Sequence, residues 1–395
     1  MTKRNIPSGP EPVYDQVVSG YETFRSAQAF VCEWGGVLPE ITLAYETWGE
    51  RSPSGDNSVL LHTGLSASSH ARSHARNTSP GWWENFIGPG AALDTDRFHI
   101  ICTNVLGGCY GSTGPASLRP DSGQPWATDF PIVSVGDMVR AQLLLLDHLG
   151  IEKLHAAIGA SLGGMQSLML AALAPQRADR IVSISAAIRS HPQSIALRFV
   201  QRQALMSDPA WRGGRYYGVS FPHRGQKVAR QIGAITYRSG PEWEKRFGRE
   251  RIANTTPRLD EDFQVESYLA HQGEKFCLQY DANSYLYISK AMDLFDLTAL
   301  DAHGQPYVAN IVCPSQVIGV TSDLLFPIWQ QREVARYLKK NDAPVSFLEI
   351  DAPYGHDTFL VERERVGNAV KRYLEARRAR MTAKPSVQRG RASRC

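Results

Sequence analysis

The chain has 395 residues, enough for one large α/β domain with an insertion or for two small domains, and it is 43% hydrophobic, 21% charged and 9% aromatic. This composition excludes a wholly disordered, collagen-like or coiled-coil protein. The net charge is +4, but residues 376–395 hold seven Lys or Arg and no acidic residue, and removing their charge leaves −3 on the body, which argues against nucleic-acid binding.

The N-terminal sequence and the cysteines bear on the cellular compartment. The first fifteen residues, MTKRNIPSGPEPVYD, hold no apolar segment before their prolines, and no stretch of the chain approaches 18 uninterrupted apolar residues. The six cysteines form no CxxC pair and no cluster with histidine, so the sequence indicates neither a zinc site nor a disulfide framework. We therefore predict a reduced, cytoplasmic location, no bound metal and no membrane partner.

Short apolar runs that end in glycine-bearing loops alternate with helical patterns, which is typical of crossover units on a mainly parallel sheet. The runs predicted to be buried strands are 58–63, 98–105, 153–158, 181–186, 311–320 and 345–350. Residues 135–149 have helical apolar spacing, so we predict a helix there. Ser134 and Asp137 form a capping-box pattern at its start, and Gly150 ends it.

The most informative motif, Gly159-Ala160-Ser161-Leu162-Gly163, directly follows the predicted strand 153–158 and precedes a helical pattern. A G-x-S-x-G sequence in this context is typical of the nucleophile elbow of the α/β-hydrolase fold. The tight turn needs small residues and holds the serine in a strained backbone conformation with its Oγ above the sheet. We predict that Ser161 is a nucleophile and that the fold is an α/β-hydrolase fold, a mainly parallel sheet with helices on both faces.

The segment 190–304 interrupts the alternation of strands and helices. It is richer in Arg, Gln, Trp and Tyr and has helical periodicity, so we predict an inserted helical cap over the carboxyl edge of the sheet, where open α/β sheets bind ligands. The predicted organisation is an N-terminal extension (1–34), an α/β-hydrolase core (35–189 and 305–375), the cap (190–304) and a basic disordered tail (376–395).

A serine hydroxyl is a weak nucleophile, so it needs a general base, and that base needs an orienting carboxylate. In this fold the chain order is serine, acid, histidine. Asp323 follows the predicted strand 311–320, and His356 follows the predicted strand 345–350. We predict Ser161, Asp323 and His356 as a catalytic triad, with the N–H groups of Leu162 and of Leu65, in the loop after strand 58–63, as oxyanion donors.

Five segments together resemble the homoserine and serine O-acyltransferases of the α/β-hydrolase superfamily: GASLGGMQ, NVLGGCYGSTGPAS, GLSASSHA, TSDLLFP and YGHDTFL. The resemblance extends from about residue 35 to residue 373. It implies a ping-pong transfer from an acyl-CoA through an acyl-Ser161 intermediate, with the same triad and no metal or other cofactor. It also implies a homodimer built on the cap.

The resemblance further implies which residues bind the acceptor amino acid. Arg230 and Asp357 match the substrate-binding positions of that family. A zwitterionic amino acid presents a carboxylate to a guanidinium and an ammonium group to a carboxylate, so these two residue types suit L-serine or L-homoserine.

Two features bear on specificity through the resemblance. Arg198 falls where family members that use succinyl-CoA carry an arginine, and a succinyl carboxylate needs such a counter-charge in a partly desolvated pocket. The loop Gly64, Leu65, Ser66 and Ala67 departs from the L-T-G-D of typical homoserine acyltransferases and resembles the serine-specific branch.

These features predict transfer of a succinyl group from succinyl-CoA to L-serine, giving O-succinyl-L-serine and CoA for cysteine biosynthesis. A homoserine O-acetyltransferase or O-succinyltransferase of methionine biosynthesis is the alternative. An esterase or thioesterase that hydrolyses the same acyl-enzyme, and a catalytically inactive binding protein, remain as further alternatives.

Overall fold

The computed structural model describes residues 11–253, 256–257 and 259–376. The first ten residues of the predicted extension and all but residue 376 of the predicted basic tail lie outside the described residues. No helix in the described part of the chain combines the length and the apolar character needed to cross a bilayer.

An eight-stranded sheet forms the core of the molecule. Its strands in chain order are β1 (Glu22–Ser26), β2 (Ile41–Trp48), β3 (Ser58–His62), β4 (His99–Thr103), β5 (Ala156–Ala160), β6 (Ile181–Ile184), β7 (Ser315–Val320) and β8 (Val345–Ile350). Their spatial order is β1-β2-β4-β3-β5-β6-β7-β8. The pairs β1–β2 and β2–β4 are antiparallel, and the other neighbouring strands are parallel. The predicted fold class is confirmed.

Six of these strands coincide with predicted runs, whereas β1 and β2 were not predicted. Strand β1 lies within the segment 1–34 that was predicted to be an extension outside the core. It is a five-residue edge strand in which only Phe24 is buried, so it has no apolar run. Strand β2 escaped prediction because the buried Glu46 interrupts its apolar pattern.

Helices flank the sheet on both faces. In chain order they are α1 (Tyr14–Val17), α2 (Val135–His148), α3 (Leu162–Leu173), α4 (Pro192–Met206), α5 (His223–Thr236), α6 (Gly240–Phe247), α7 (Gln264–Cys277), α8 (Ala282–Asp293), α9 (Ile328–Lys340), α10 (Thr358–Val361) and α11 (Arg363–Glu375). Short 3-10 turns lie at Ala127–Asp129, Pro209–Gly214, Tyr307–Asn310 and Gly355–Asp357.

The capping box predicted for α2 is present. The Asp137 N–H donates to Ser134 Oγ and the Ser134 N–H donates to Asp137 Oδ2, both over 2.9 Å. These reciprocal bonds satisfy two amides that a helix start leaves without intrahelical acceptors.

Helices α4 to α8 all lie between β6 and β7 in the chain, within the segment predicted to be the cap. The buried side of α4 is largely polar and includes Ser194, Arg198, Gln201 and Arg202. A polar interior is unusual for a helix that only packs, because buried polar groups must find partners. The segment predicted to be the cap therefore contributes buried polar groups, and the division of the chain into core and cap stays a prediction.

Candidate active site

Ser161 occupies a turn of one residue between β5 and α3. Its backbone has φ 58° and ψ −123°, a conformation that non-glycine residues rarely adopt, and its N–H donates to the Ile184 carbonyl of the neighbouring strand over 2.9 Å. The turn closes tightly, because a Cβ at Gly159 would lie 2.2 Å from the Gly163 backbone. Such strain costs on the order of 1–3 kcal/mol and persists only where the surrounding structure enforces it.

Asp323 and His356 form a buried pair on the loops after β7 and β8. His356 Nδ1 lies 2.8 Å from Asp323 Oδ2, and the two residues are only 3% and 2% exposed. The other carboxylate oxygen, Oδ1, accepts hydrogen bonds from the N–H groups of Leu325 and Phe326 over 2.9 and 2.8 Å. The carboxylate therefore has a fixed orientation, which in turn fixes the imidazole ring and places its proton on Nδ1.

Ser322 joins the acid loop to the histidine loop. Its hydroxyl donates to the Ala352 carbonyl over 2.5 Å and accepts from the Gly355 N–H over 3.0 Å. Strands β5, β6, β7 and β8 are adjacent and parallel, so Ser161, Asp323 and His356 all follow strand ends at one edge of the sheet.

The serine–histidine hydrogen bond expected from the triad is not formed. Within the described part of the chain, Ser161 Oγ has no hydrogen-bond partner, and the Asp323 carboxylate is the hydrogen-bond partner of the His356 ring. Catalytic hydrogen bonds are often long without substrate and tighten only in the complex. The triad assignment therefore stays a prediction that the Asp323–His356 geometry supports.

The pKa of His356 is raised above its ordinary value of 6.5. Burial among the rings of Phe326 and Phe359 opposes the charged form, but the negative charge of Asp323, its hydrogen bond, and the charge of Asp357 outweigh that effect. The imidazolium is thus favoured below the raised folded pKa and is lost as the pH rises through it. A general base must be neutral at Nε2, so activity should increase across that rise.

We expect the rate of Ser161 acylation to rise with pH through an inflection above 6.5. Asp357→Asn removes one of the charges that raise the pKa of His356, so the inflection should move to lower pH. The measurement is single-turnover thiol release from acyl-CoA across pH, without acceptor. An inflection that Asp357→Asn leaves in place, or moves to higher pH, would contradict this electrostatic assignment.

Both N–H groups predicted to bind the oxyanion are free to donate a hydrogen bond to substrate. Among the described residues, neither the Leu162 N–H at the start of α3 nor the Leu65 N–H has a hydrogen-bond acceptor. The carbonyls on either side of the Leu65 amide are held: Gln166 Nε2 donates to Thr63 O over 2.9 Å, and the Tyr280 hydroxyl donates to Leu65 O over 2.8 Å. The predicted oxyanion loop is therefore anchored both to α3 and to Tyr280, in the segment predicted to be the cap.

The charge of Arg230 acts on Asp357, the chain neighbour of His356, and the Tyr237 ring is close both to Arg230 and to His356. The Arg230 guanidinium lies 4.6 Å from the ring centroid of Phe276 and 5.3 Å from that of Tyr237, and in the described chain it forms no ion pair with a carboxylate. Burial raises the pKa of Asp357, while the charges of His356, Arg238 and Arg230 oppose the rise. The Tyr237 ring lies 6.0 Å from the His356 ring.

Arg198 differs from the expectation, because most of its guanidinium already has partners. Its Nε lies 2.6 Å from Asp293 Oδ1 and its Nη2 donates to Ser190 Oγ over 2.7 Å, whereas Nη1 is buried without a partner among the described residues. Arg202 Nη2 contacts the second Asp293 oxygen at 2.6 Å. Two guanidinium groups thus share the Asp293 carboxylate.

The charges of this arginine pair and of Arg230 all act on the hydroxyl of Tyr285. Burial raises the pKa of Tyr285, and the charges of Arg230, Arg198 and Arg202 all act in the opposite direction, so the phenol lies within electrostatic reach of all three. The Tyr285 ring also packs edge-on against Phe276 at 5.8 Å.

The sequence analysis missed a cluster of Glu46, His70 and His74, whose side-chain atoms are close enough to share a metal ion. Hydrogen bonds account for this cluster without one. His74 Nδ1 accepts the Arg76 N–H, so the proton is on Nε2, which donates to Glu46 Oε2 over 2.6 Å and is not a free ligand. His70 donates from Nδ1 to Glu46 and from Nε2 to the Ser79 carbonyl, both over 2.8 Å.

Those two bonds hold the His70 ring at the far end of the predicted oxyanion loop. Burial disfavours the charge, but the hydrogen bond and charge of Glu46 raise the pKa of His70. The two histidines that follow the GLSASS loop were the feature of the sequence that could have indicated this cluster. Their shared partner, Glu46, lies more than twenty residues away on β2.

Comparison with known proteins identifies relatives of this chain. The sequence profile of the alpha/beta hydrolase fold matches residues 57–363. The chain is 50% identical to serine O-succinyltransferase from Schizosaccharomyces pombe, over 95% of this chain and 88% of that protein. It is 44% identical to homoserine O-acetyltransferase from Moorella thermoacetica, over 91% of this chain and 97% of that protein.

A solved structure with the same fold comes from a hydrolase. The crystal structure of esterase E22 is similar with a TM-score of 0.82 and 25% identity, over 90% of this chain and all of that one. The fold and the arrangement of strands therefore accommodate both acyl transfer and ester hydrolysis, and the distinction depends on particular side chains.

Proposed function

Because this chain belongs to the α/β-hydrolase fold family, and within it to the serine and homoserine O-acyltransferases, we propose that it transfers a succinyl group from succinyl-CoA to the hydroxyl of L-serine. The product is O-succinyl-L-serine, and CoA is released. The alternative is a homoserine O-acetyltransferase or O-succinyltransferase.

The observation that carries this proposal is the Arg230 guanidinium, which lies over the rings of Tyr237 and Phe276 and forms no ion pair with a carboxylate in the described chain. The Tyr237 ring in turn lies 6.0 Å from the His356 ring. An esterase uses water as the acceptor and needs no cation there. An amino-acid acceptor has a carboxylate that would form an ion pair with Arg230 and an ammonium group that would form an ion pair with Asp357. The side chains thus favour an amino-acid acyltransferase over the esterase alternative.

In the first half-reaction, Ser161 Oγ attacks the thioester carbonyl carbon and its proton passes to His356 Nε2. The amides of Leu65 and Leu162 donate to the oxyanion of the tetrahedral intermediate. The C–S bond then breaks, and CoA leaves as a thiol with the proton from His356. Asp323 stabilises the imidazolium throughout without being protonated.

In the second half-reaction, the L-serine hydroxyl gives its proton to His356 and attacks the acyl-enzyme carbonyl carbon. The bond from that carbon to Ser161 Oγ breaks, and the proton returns to Oγ. The proposed steps use only side chains and amides of this chain together with acyl-CoA as co-substrate, so the proposal includes no metal and no other cofactor.

Acetyl-CoA and succinyl-CoA assayed against L-serine and L-homoserine test this function. Free thiol release is followed in four combinations, and the product is identified by mass spectrometry. The expected result is fastest turnover with succinyl-CoA and L-serine. Preference for L-homoserine would establish the alternative, and thiol release that no amino acid accelerates would establish hydrolysis.

Arg198 is proposed to select the succinyl donor through its Nη1 group, which has no partner in the described chain. Arg198→Leu should lose activity with succinyl-CoA while keeping or gaining activity with acetyl-CoA. Loss of one member of a buried charge pair costs about 2–5 kcal/mol, or about 30-fold to a few thousand-fold in the donor preference.

Arg202→Leu is the matched control, because Arg202 binds the same Asp293 and donates to Ser289 Oγ over 2.9 Å. It should disturb the cap to a similar extent without changing the ratio of the two donors. If Arg198→Leu lowers the rates with succinyl-CoA and acetyl-CoA equally, Arg198 has a structural role and does not select the donor. The four-way assay then identifies the donor.

The proposal includes a homodimer built on the cap. Phe199 of α4 and Ile235 of α5 expose 51% and 48% of their surface, as an apolar contact between copies would require. Phe199→Glu combined with Ile235→Glu should halve the mass measured by sedimentation equilibrium. Val312→Glu, at an equally exposed apolar position outside the cap, should not. The cytoplasmic location stays a prediction.

A further inference from the structure

Tyr280 connects the cap directly to the oxyanion loop. It lies between α7 and α8, is 2% exposed, and donates its hydroxyl proton to the Leu65 carbonyl over 2.8 Å. The two residues are 215 positions apart, and the bond spans the boundary between cap and core. The catalytic steps described above leave this hydroxyl without a role.

The bond holds one side of the amide proposed as an oxyanion donor. The Leu65 N–H belongs to the peptide group between Gly64 and Leu65. Gln166 Nε2 holds the preceding carbonyl of Thr63 over 2.9 Å, and Tyr280 holds the following carbonyl of Leu65. Gly64 itself has open space: among the described residues other than its two chain neighbours, no atom lies within 4 Å of the position a Cβ would take. The amide therefore depends on these two hydrogen bonds for its orientation.

Tyr280 is also part of an aromatic stack that begins at the proposed acceptor site. The Arg230 guanidinium lies over Phe276 at 4.6 Å, and the Phe276 ring stacks on Tyr280 with centroids 5.2 Å apart and an interplanar angle of 17°. The stack fixes the ring, and the ring fixes the hydroxyl. The residue that binds the acceptor carboxylate and the residue that holds the oxyanion loop thus share one rigid support.

We infer that Tyr280 is a positioning residue for the oxyanion hole, in which its hydroxyl holds the Leu65 carbonyl so that the Leu65 N–H keeps the orientation needed to bind the oxyanion. The inference rests on the proposed function through the role of Leu65 in acyl transfer. Loss of a whole oxyanion donor costs about 10²- to 10³-fold in kcat. A donor that is present but no longer held should cost less, about 10- to 100-fold.

Tyr280→Phe removes the hydroxyl and keeps the stacked ring. Tyr110→Phe is a matched control, because Tyr110 is also buried in the same aromatic cluster, packs edge-on against Tyr280 at 5.6 Å, and donates its hydroxyl proton to the Gln279 carbonyl over 2.8 Å. Each variant loses one buried hydrogen bond to a backbone carbonyl, but only Tyr280 is bonded to the oxyanion loop. Both should lower the Tm by similar amounts.

The readout is single-turnover acylation with p-nitrophenyl acetate, in which Ser161 Oγ takes the acetyl group and p-nitrophenolate leaves. Tyr280→Phe should reduce the maximal acylation rate about 10- to 100-fold, leave the ester concentration at half-maximal rate within about 2-fold, and keep the pH inflection. An alkylboronic acid, which forms a tetrahedral adduct at the serine, should bind more weakly by a similar factor. Tyr110→Phe should match the wild type in all of these.

Equal acylation rates in the two variants, or a change confined to the half-maximal ester concentration, would overturn the inference. A Tyr280→Phe chain that fails to fold while Tyr110→Phe folds would assign the hydroxyl to the fold and overturn it as well. The test is independent of the natural donor and acceptor, because the nitrophenyl ester reports the serine directly. Failure of the four-way assay together with a slow Tyr280→Phe variant would reject the proposed substrates and keep the inference.

Discussion

Replacing Ser161 with alanine is expected to abolish acyl transfer, with a loss on the order of a million-fold, as triad knockouts cost in a serine protease. The elbow conformation and the oxyanion amides remain in this variant, so it removes only the nucleophile. In the wild type, acyl-CoA alone should add one acyl mass to the peptide that contains Ser161, and the variant should show no such adduct.

Ser185 offers a matched control for this substitution. It follows β6 as Ser161 follows β5, has a positive φ of 45°, and donates its N–H to a carbonyl of the neighbouring strand, Ile318, over 2.8 Å. It is fully buried, so its hydroxyl is not available to substrate. Ser185→Ala should keep activity within a few-fold. A Ser161→Ala enzyme with substantial turnover would refute the covalent mechanism.

Asp323→Asn should reduce acylation about ten-thousand-fold, the loss seen when the corresponding acid of a serine protease is replaced by its amide. The local hydrogen bonds explain why. The N–H groups of Leu325 and Phe326 require an acceptor at the Oδ1 position, so the asparagine oxygen must stay there. Its NH₂ group then faces His356 Nδ1, which becomes the acceptor, and the ring proton moves to Nε2.

A protonated Nε2 cannot accept the Ser161 proton, so the variant should hold the wrong tautomer with little change in structure. Single-turnover thiol release measures the loss, and the Tm checks the fold. Asp351→Asn is the control, because Asp351 lies on the same loop cluster and accepts from Thr321 Oγ1 over 2.8 Å at an exposed position. An Asp323→Asn enzyme within about 10-fold of the wild type would show that another group orients His356.

The elbow was predictable because everything it needs is contiguous. Gly159, Ser161 and Gly163 lie within five residues, between a strand and a helix that the local pattern also indicates, and the close approach of Gly159 to Gly163 is a contact within that same turn. The capping box of α2 was predictable for the same reason, since Ser134 and Asp137 lie one helical turn apart. The conformation of both features depends mainly on residues that are close in sequence, and little on contacts with the rest of the molecule.

The positions of Asp323 and His356 could be predicted only indirectly, from the strands that precede them. The chain order and the position of each after a strand placed Asp323 and His356 at the same sheet edge, and the structure joins them over 2.8 Å. The hydrogen bond between Ser161 and His356 that the triad implies is not formed in the structure. Loop conformation sets the last few ångströms between strands that are not neighbours, and sequence order does not determine that conformation. Sequence order predicts that these residues lie at the same edge of the sheet, but it does not predict the distances between their side chains.

The amino-acid sequence by itself thus determined the α/β-hydrolase fold, the tight turn at Ser161, and the placement of Asp323 and His356 after neighbouring strands, since each depends on local periodicity or on the position of a residue after a strand. Only the tertiary structure decided the partners that lie far apart in the chain. Asp293 reaches Arg198 across 95 residues, Glu46 reaches His70 across 24, and Tyr280 reaches Leu65 across 215. Buried polar groups need hydrogen-bond partners, and the fold determines which groups come close enough to pair. The pattern of residues along the chain does not predict those pairs.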